Sequence, residues 1–158
     1  LVQLTRLDEQ TRTRNENSLY LSQELAKIKG IEPLKRSPEI TSHSYHLYIF
    51  KYDKEEFEGL PRGKFIEALR AEGIPCSSGY VPLYKELFML NLAQDSLLHR
   101  LYGEKIDYSK VKLPVTERAC YDEGVWFFQN MLLGTKEDMD DIINAILKIK
   151  ENATELNR

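Results

Sequence analysis

The sequence predicts an α+β domain: a small sheet of about three strands flanked by helices and entered through a long N-terminal helix. Three observations carry this expectation. Residues 1–29 contain neither Pro nor Gly and are rich in Leu, Glu, Gln, Arg and Lys, the composition of a helix. Residues 44–53 alternate as a strand does. The chain then closes on Met139, Ile142, Ile143, Ile146 and Ile149, an apolar stripe at helical period.

The opening helix is expected to stop at Gly30, and at about 1.5 Å per residue it would run roughly 40 Å. Its leucines form two clusters, Leu1, Leu4, Leu7 and then Leu19, Leu21, Leu25 with Ile28, separated by the polar run 8–18. Each end therefore has something to pack against and the middle does not. Arg12, Arg14 and Asn15 read as a solvated face or as a polar contact with another domain. Because Leu1, Val2, Leu4 and Leu7 already keep helical rhythm without a cap, the chain reads as a piece of a longer protein that begins inside a helix.

Pro33, Ser37 and Pro38 predict a linker-like loop over residues 31–43. In the strand that follows, Tyr45, Leu47 and Ile49 fall on one side and His46, Tyr48, Phe50 and Tyr52 on the other, so both faces are apolar or aromatic and the strand should be central. Pro61 suits the first turn of a helix over residues 62–72, with Phe65, Ile66 and Leu69 as its stripe and Gly73 as its stop. A short strand from Ile74 leads into a loop, residues 76–84, whose freedom Pro82 limits. Residues 85–112 are the least legible; Leu87, Phe88, Leu90 and Leu92 suggest one short helix and Leu97, Leu98 and Leu101 another. Thr116 can cap a helix to about Asp122, Gly124 opens a strand through Phe128, and Thr135 with Asp138 are spaced for a reciprocal cap of the last helix.

The 158 residues carry 22 Lys and Arg against 25 Asp and Glu, a net charge of -3, which argues against a phosphate-backbone reader of nucleic acid. The longest apolar runs fall far short of the roughly 20 residues that a membrane-spanning helix needs. The two cysteines, Cys76 and Cys120, match neither a metal knuckle nor a disulfide scaffold, so they read as reduced thiols of a cytoplasmic protein. His43 and His46 have a metal-like spacing, but residues three apart in a strand point to opposite faces. His99 reads as a packed histidine. Gly79 stands alone, with no glycine-rich phosphate loop around it. The loop 76–84 is the best candidate site, since the rings of Tyr80 and Tyr84 can stack on sugar-like C–H faces while their hydroxyls bond a polyol. Packing of at least one of these tyrosines is an equal reading.

Three segments carry a family resemblance: Ser-Tyr-His-Leu-Tyr at 44–48, Gly-Ile-Pro-Cys-Ser-Ser-Gly-Tyr-Val-Pro-Leu-Tyr at 73–84, and Leu-Pro-Val-Thr-Glu-Arg-Ala-Cys at 113–120. With the Leu4, Leu7, Asp8, Arg12, Arg14, Asn15 and Leu19 pattern of the first helix, the sequence resembles the C-terminal part of the DegT/DnrJ/StrS sugar aminotransferases over nearly its whole length. Tyr45, Gly79-Tyr80 and Val125-Trp126 are nearest to the branch that makes aminocyclitols or aminohydroxybenzoate. The resemblance implies the small C-terminal domain of a fold type I, aspartate-aminotransferase-like enzyme, with residues 1–30 as the linking helix, residues 31–158 as the domain, and the large cofactor domain elsewhere. It implies pyridoxal-phosphate-dependent transamination of a keto-sugar or cyclitol with Glu or Gln as donor, in a homodimer. The family's cofactor lysine follows a Ser-Phe pair that this chain lacks, so the chain alone should be inactive and supply one wall of the cleft. The family often has His where this sequence has Tyr84; a phenol with a pKa near 10 suits a hydrogen-bond donor better than a proton carrier. The resemblance therefore assigns substrate contact to Tyr84, then Tyr80, then His46. The rival reading is a stand-alone α+β interaction or ligand-sensing module.

Overall fold

The computed structural model describes residues 1–92 and 96–158, with Ser96 and Glu104 described by backbone alone. The chain is α+β and forms two compact units, one of Leu1–Ser78 with Gly124–Arg158 and one of Gly79–Glu123. The first unit holds an antiparallel sheet of four strands, β1 (Ile31–Pro33), β2 (Leu47–Tyr52), β3 (Cys76–Ser78) and β4 (Gly124–Phe128), in the order β1-β2-β4-β3. The expected count of about three strands is corrected by β1, which lies where Pro33 predicted a loop. Pro33 is tolerated because β1 is an edge strand, where a residue without an N–H removes no ladder bond on the solvent side.

The central position of β2 agrees with its apolar sequence, but its length is shorter than residues 44–53. Tyr45 has φ 47, a left-handed conformation that breaks the extended chain before Leu47. Tyr48, Phe50 and Tyr52 are buried, whereas Leu47 and Ile49 are half-buried and Lys51 is exposed. One face is thus core and the other only partly covered.

Helices α1 (Leu7–Leu25), α2 (Arg62–Ala71) and α6 (Lys136–Glu151) supply the rest of that core through Leu21 and Leu25, Phe65, Ile66 and Leu69, and Met139, Ile142, Ile146 and Ile149. Tyr52 stacks on Phe65 at 4.3 Å between centroids and donates from its hydroxyl to the Leu60 carbonyl at 2.7 Å. Both halves of the reciprocal cap form at α6, with Thr135 and Asp138. The last helix, α7 (Ala153–Leu156), adds a single turn.

The first helix departs from expectation at both ends and in the middle. It is preceded by a tighter turn over Leu4–Arg6 and ends at Leu25; Gly30, with φ +94, makes the turn into β1. A Cβ at Gly30 would lie 2.6 Å from Glu56 Cβ, so glycine is required there on two counts. Leu1, Val2, Leu4 and Leu7 are exposed, as is Leu19, so Leu21, Leu25 and Ile28 of the C-terminal cluster are the ones that pack in this chain. The polar middle, by contrast, is engaged. Asn15 donates to the His43 carbonyl at 2.8 Å and accepts from the His43 N–H at 3.0 Å and from Arg36 at 3.1 Å, while Asn17 donates to the Leu132 and Gly134 carbonyls. These side chains fasten loop backbone to α1, a role that hydrophobic periodicity does not reveal.

In the second unit, α3 (Leu87–Asn91), α4 (Ser96–Tyr102) and α5 (Pro114–Arg118) are short. The expected helices on the Leu87 and Leu97 stripes are present; residues 93–95 between them lie outside the description. Helix α5 starts at Pro114 rather than being capped by Thr116, and the chain then widens into a π-type turn over Ala119–Glu123.

Candidate functional site

The candidate site is built in the Gly79–Glu123 unit from one loop and the helix-to-π segment behind it. After β3 the chain runs through Gly79 to a 3-10 turn over Leu83–Lys85, whose fixed start is the buried Pro82. Lys85 N–H closes this turn on the Pro82 carbonyl at 2.8 Å. Tyr80, Val81 and Leu83 are exposed, Tyr80 to 62%, whereas Tyr84 is only 6% exposed.

Tyr84 is held from both sides. Its hydroxyl donates to the Glu117 carboxylate and accepts from the Leu113 N–H at 3.3 Å. Lys85 Nζ lies 3.2 Å from Glu117 Oε1 and 5.4 Å above the Tyr121 ring. Glu117 sits in the first turn of the short helix α5. Gly79 completes the frame, since a Cβ built on it would stand 2.2 Å from the Cys120 carbonyl oxygen and 2.8 Å from its Cα. The loop is therefore pinned at Gly79 to the π-type turn and at Tyr84 to α5, and Tyr80, Val81 and Leu83 between them are displayed.

The three titratable groups of this cluster support one another. Hydrogen bonds from Tyr84 and then Lys85 hold the Glu117 carboxyl below its ordinary 4.5. Burial, followed by the bond to Glu117, raises the Tyr84 phenol above 10.0, and the bond to Glu117 raises the Lys85 ammonium. A carboxyl whose folded value is depressed contributes stability above its unfolded value, and loses it as pH falls through the folded one. A raised phenol and a raised ammonium contribute stability below their unfolded values and lose it as pH rises through the folded ones. The cluster should thus be intact from 4.5 up to 10.0. In an NMR titration the Leu113 amide, bonded to the Tyr84 hydroxyl, should shift with an acid midpoint below 4.5; a midpoint at or above 4.5 would contradict this coupling.

His46 lies in the other unit, exposed and just ahead of β2. The loop thus brings together Tyr80 and Tyr84 of the three expected site residues. His43 packs its ring 4.1 Å from Tyr45 and accepts the Tyr45 N–H at 2.9 Å; among the described residues no group of three metal-ligating side chains occurs. Cys76 is buried, and burial pushes its thiol up to about 11, the setting of an inert cysteine. Sequence reasoning missed Glu117 and Lys85. The available signal was an acid in the first turn of a Pro-started helix, with nothing local to say that a tyrosine 33 residues earlier would meet it.

Pyridoxal phosphate, which the resemblance implies, needs a lysine held in a desolvated setting and a seat for its phosphate. Among the described residues no lysine is buried. An open groove of about 640 Å³ beside α1 is lined by Arg12 and Arg36 and by no lysine, and Arg36 is already committed to Asn15 and to the Ile40 carbonyl at 3.0 Å. These residues do not fit the cofactor by themselves.

Residues 1–147 match the family model described as the DegT/DnrJ/EryC1/StrS aminotransferase family. The chain is 34% identical over 161 residues to a Micromonospora echinospora protein provisionally named L-glutamine:3-amino-2,3-dideoxy-scyllo-inosose aminotransferase, covering 100% of this chain and 38% of that one. It is 35% identical over 156 residues to the L-glutamine:2-deoxy-scyllo-inosose aminotransferase of Streptoalloteichus tenebrarius, covering 98% and 36%. Its fold matches that of 3-amino-5-hydroxybenzoic acid synthase with a TM-score of 0.70 at 22% identity, over 93% of this chain and 36% of the other. The chain spans little more than a third of the length of the curated relatives it matches. Among the described residues no helix is long and apolar enough to cross a membrane.

Proposed function

The chain belongs to the DegT/DnrJ/EryC1/StrS aminotransferase family, and on that premise we propose that it is the small C-terminal domain of a pyridoxal-phosphate-dependent enzyme that transfers an amino group from glutamine to the ketone of a cyclitol. The observation that carries this reading is the agreement among relatives that span nearly all of this chain: they are named for glutamine as donor and for inosose-type ketones as acceptors. In this proposal residues 1–30 link to a large domain, a role supported by the exposed Leu1, Val2, Leu4 and Leu7. That domain supplies the lysine and the carboxylate that hold the cofactor, and the cofactor, when bound, supplies an electron sink for moving the amino group. The working protein is a cytoplasmic homodimer.

This chain's own part is recognition. A cyclitol offers C–H faces and a ring of hydroxyls, which a phenol meets by stacking and hydrogen bonding. Tyr80, exposed on a pinned loop, is the principal contact. Tyr84 acts from within, fixing the loop that carries Tyr80.

The test is amination of 2-deoxy-scyllo-inosose by the full-length protein with pyridoxal phosphate and glutamine. An aminated cyclitol with matching glutamine consumption is expected; turnover of nucleotide-linked keto-sugars with every cyclitol ketone inert would refute the reading. The isolated chain, mixed with pyridoxal phosphate, should give no saturable visible absorbance band.

A further inference from the structure

We propose that Glu117 is a positioning residue for acceptor recognition, holding the Tyr84 hydroxyl and the Lys85 ammonium so that the loop from Gly79 to Tyr84 presents Tyr80 in one fixed place. This rests on the reading of the loop as part of the acceptor's wall. Among the described residues, the loop is fastened within its own unit by the close approach of Gly79 to Cys120 and by the hydroxyl of Tyr84 on Glu117. The first is a contact of backbone on backbone and leaves no side chain to choose. The second is a choice made by the sequence: a tyrosine and a lysine, adjacent in the chain, converge on one carboxylate, and the tyrosine takes a further bond from the Leu113 N–H at 3.3 Å. The Tyr84 hydroxyl thus has both a donor and an acceptor role filled by protein, and at 6% exposure little of it is left for a ligand. Tyr80, Val81 and Leu83, on the same short segment, are displayed instead.

Glu117 is suited to this because a carboxylate accepts several bonds at once and charge-assisted bonds are roughly twice as strong as neutral ones. Its place in the first turn of α5 fixes its backbone through the Glu117 N–H to Leu113 carbonyl bond at 2.9 Å. Leu113 therefore bonds both to Glu117 and to the hydroxyl that Glu117 holds. Glu117, Leu113 and Tyr84 close a ring of contacts, and loss of any one should free the others.

The experiment uses the full-length protein with Glu117→Ala, Tyr84→Phe and the pair, each read in two ways. In hydrogen exchange, the Leu113 amide should exchange roughly tenfold faster in both single variants, the scale expected for one charge-assisted bond, while amides of β2 and β4 keep their protection. In kinetics, the acceptor KM should rise by about tenfold with kcat nearly unchanged, and the double variant should be no worse than the worse single one, because the two side chains act as a unit. Glu117→Gln, which keeps the volume and one acceptor atom, should show the same changes at smaller amplitude and covers the case of a misfolded alanine variant. Unchanged Leu113 exchange in the Glu117 variants, or losses in KM that simply add, would overturn the proposal. Accelerated Leu113 exchange in a protein that aminates no cyclitol ketone would support the frame and count against the functional reading instead.

Discussion

Replacing Gly79 with valine should collapse the candidate loop, the largest local effect expected of any single change in the Gly79–Glu123 unit. The reason is a distance. The first atom of any side chain at this position would stand 2.2 Å from the Cys120 carbonyl oxygen and 2.8 Å from its Cα, well inside van der Waals contact. Overpacking against side chains typically costs about 1–3 kcal/mol because they can change rotamer. Here the neighbour is backbone in a π-type turn, so one of the two segments must move, and a local cost of about 3 kcal/mol or more is expected. Hydrogen exchange should show the Leu113 amide unprotected and the acceptor KM should rise, with the sheet intact. Gly63 is the control: it lies exposed in α2 with open space around it, and Gly63→Ala should instead stabilise by about 0.5–1 kcal/mol through helix propensity. A Gly79→Val protein with native exchange across residues 79–123 would mean that the two segments do not meet as described.

That contact also marks the limit of what the sequence discloses. The elements with a strong period were legible: the stripe from Met139 to Ile149, its Thr135 and Asp138 cap, the central β2 and the strand that Gly124 opens. The errors fell where tertiary placement overrides a local signal. Pro33 reads as a breaker unless its strand is known to be an edge, and Arg12, Arg14 and Asn15 read as a solvated face or a contact with another domain unless the carbonyl of residue 43 is known to pass beside Asn15. At the site the loop itself was visible, through its small residues, its two phenols and Pro82. What was not visible was which phenol turns inward, because that depends on Glu117, a residue whose sequence neighbours say nothing about Tyr84. Periodicity reports one face against a generic interior, whereas a polar site is a set of particular partners brought together by the fold.

Phe127→Ala should cost the protein the most overall stability, about 3–5 kcal/mol, a large share of the roughly 5–15 kcal/mol typical of a domain. Phe127 is fully buried on β4, opposite Tyr48 on β2 and Cys76 on β3. Its ring lies 6.1 Å from that of Tyr48 at 9° and 5.2 Å from that of Phe50 at 46°. Truncation would open a cavity where three strands meet, and strands paired at fixed register cannot close around it. The next residue supplies the contrast. Phe128 points to the opposite side of the strand and is 46% exposed, so Phe128→Ala should stay within about 0.5 kcal/mol. Comparable shifts in the denaturation midpoint for the two variants would mean that β4 is out of register by one residue. The pair also separates two routes to the same kinetic symptom. Because β3 runs directly into Gly79, loosening it through Phe127→Ala should raise the acceptor KM together with a loss of global stability, whereas Glu117→Ala should raise the KM while the sheet keeps its stability. Only the second pattern identifies a residue whose task is to aim the loop.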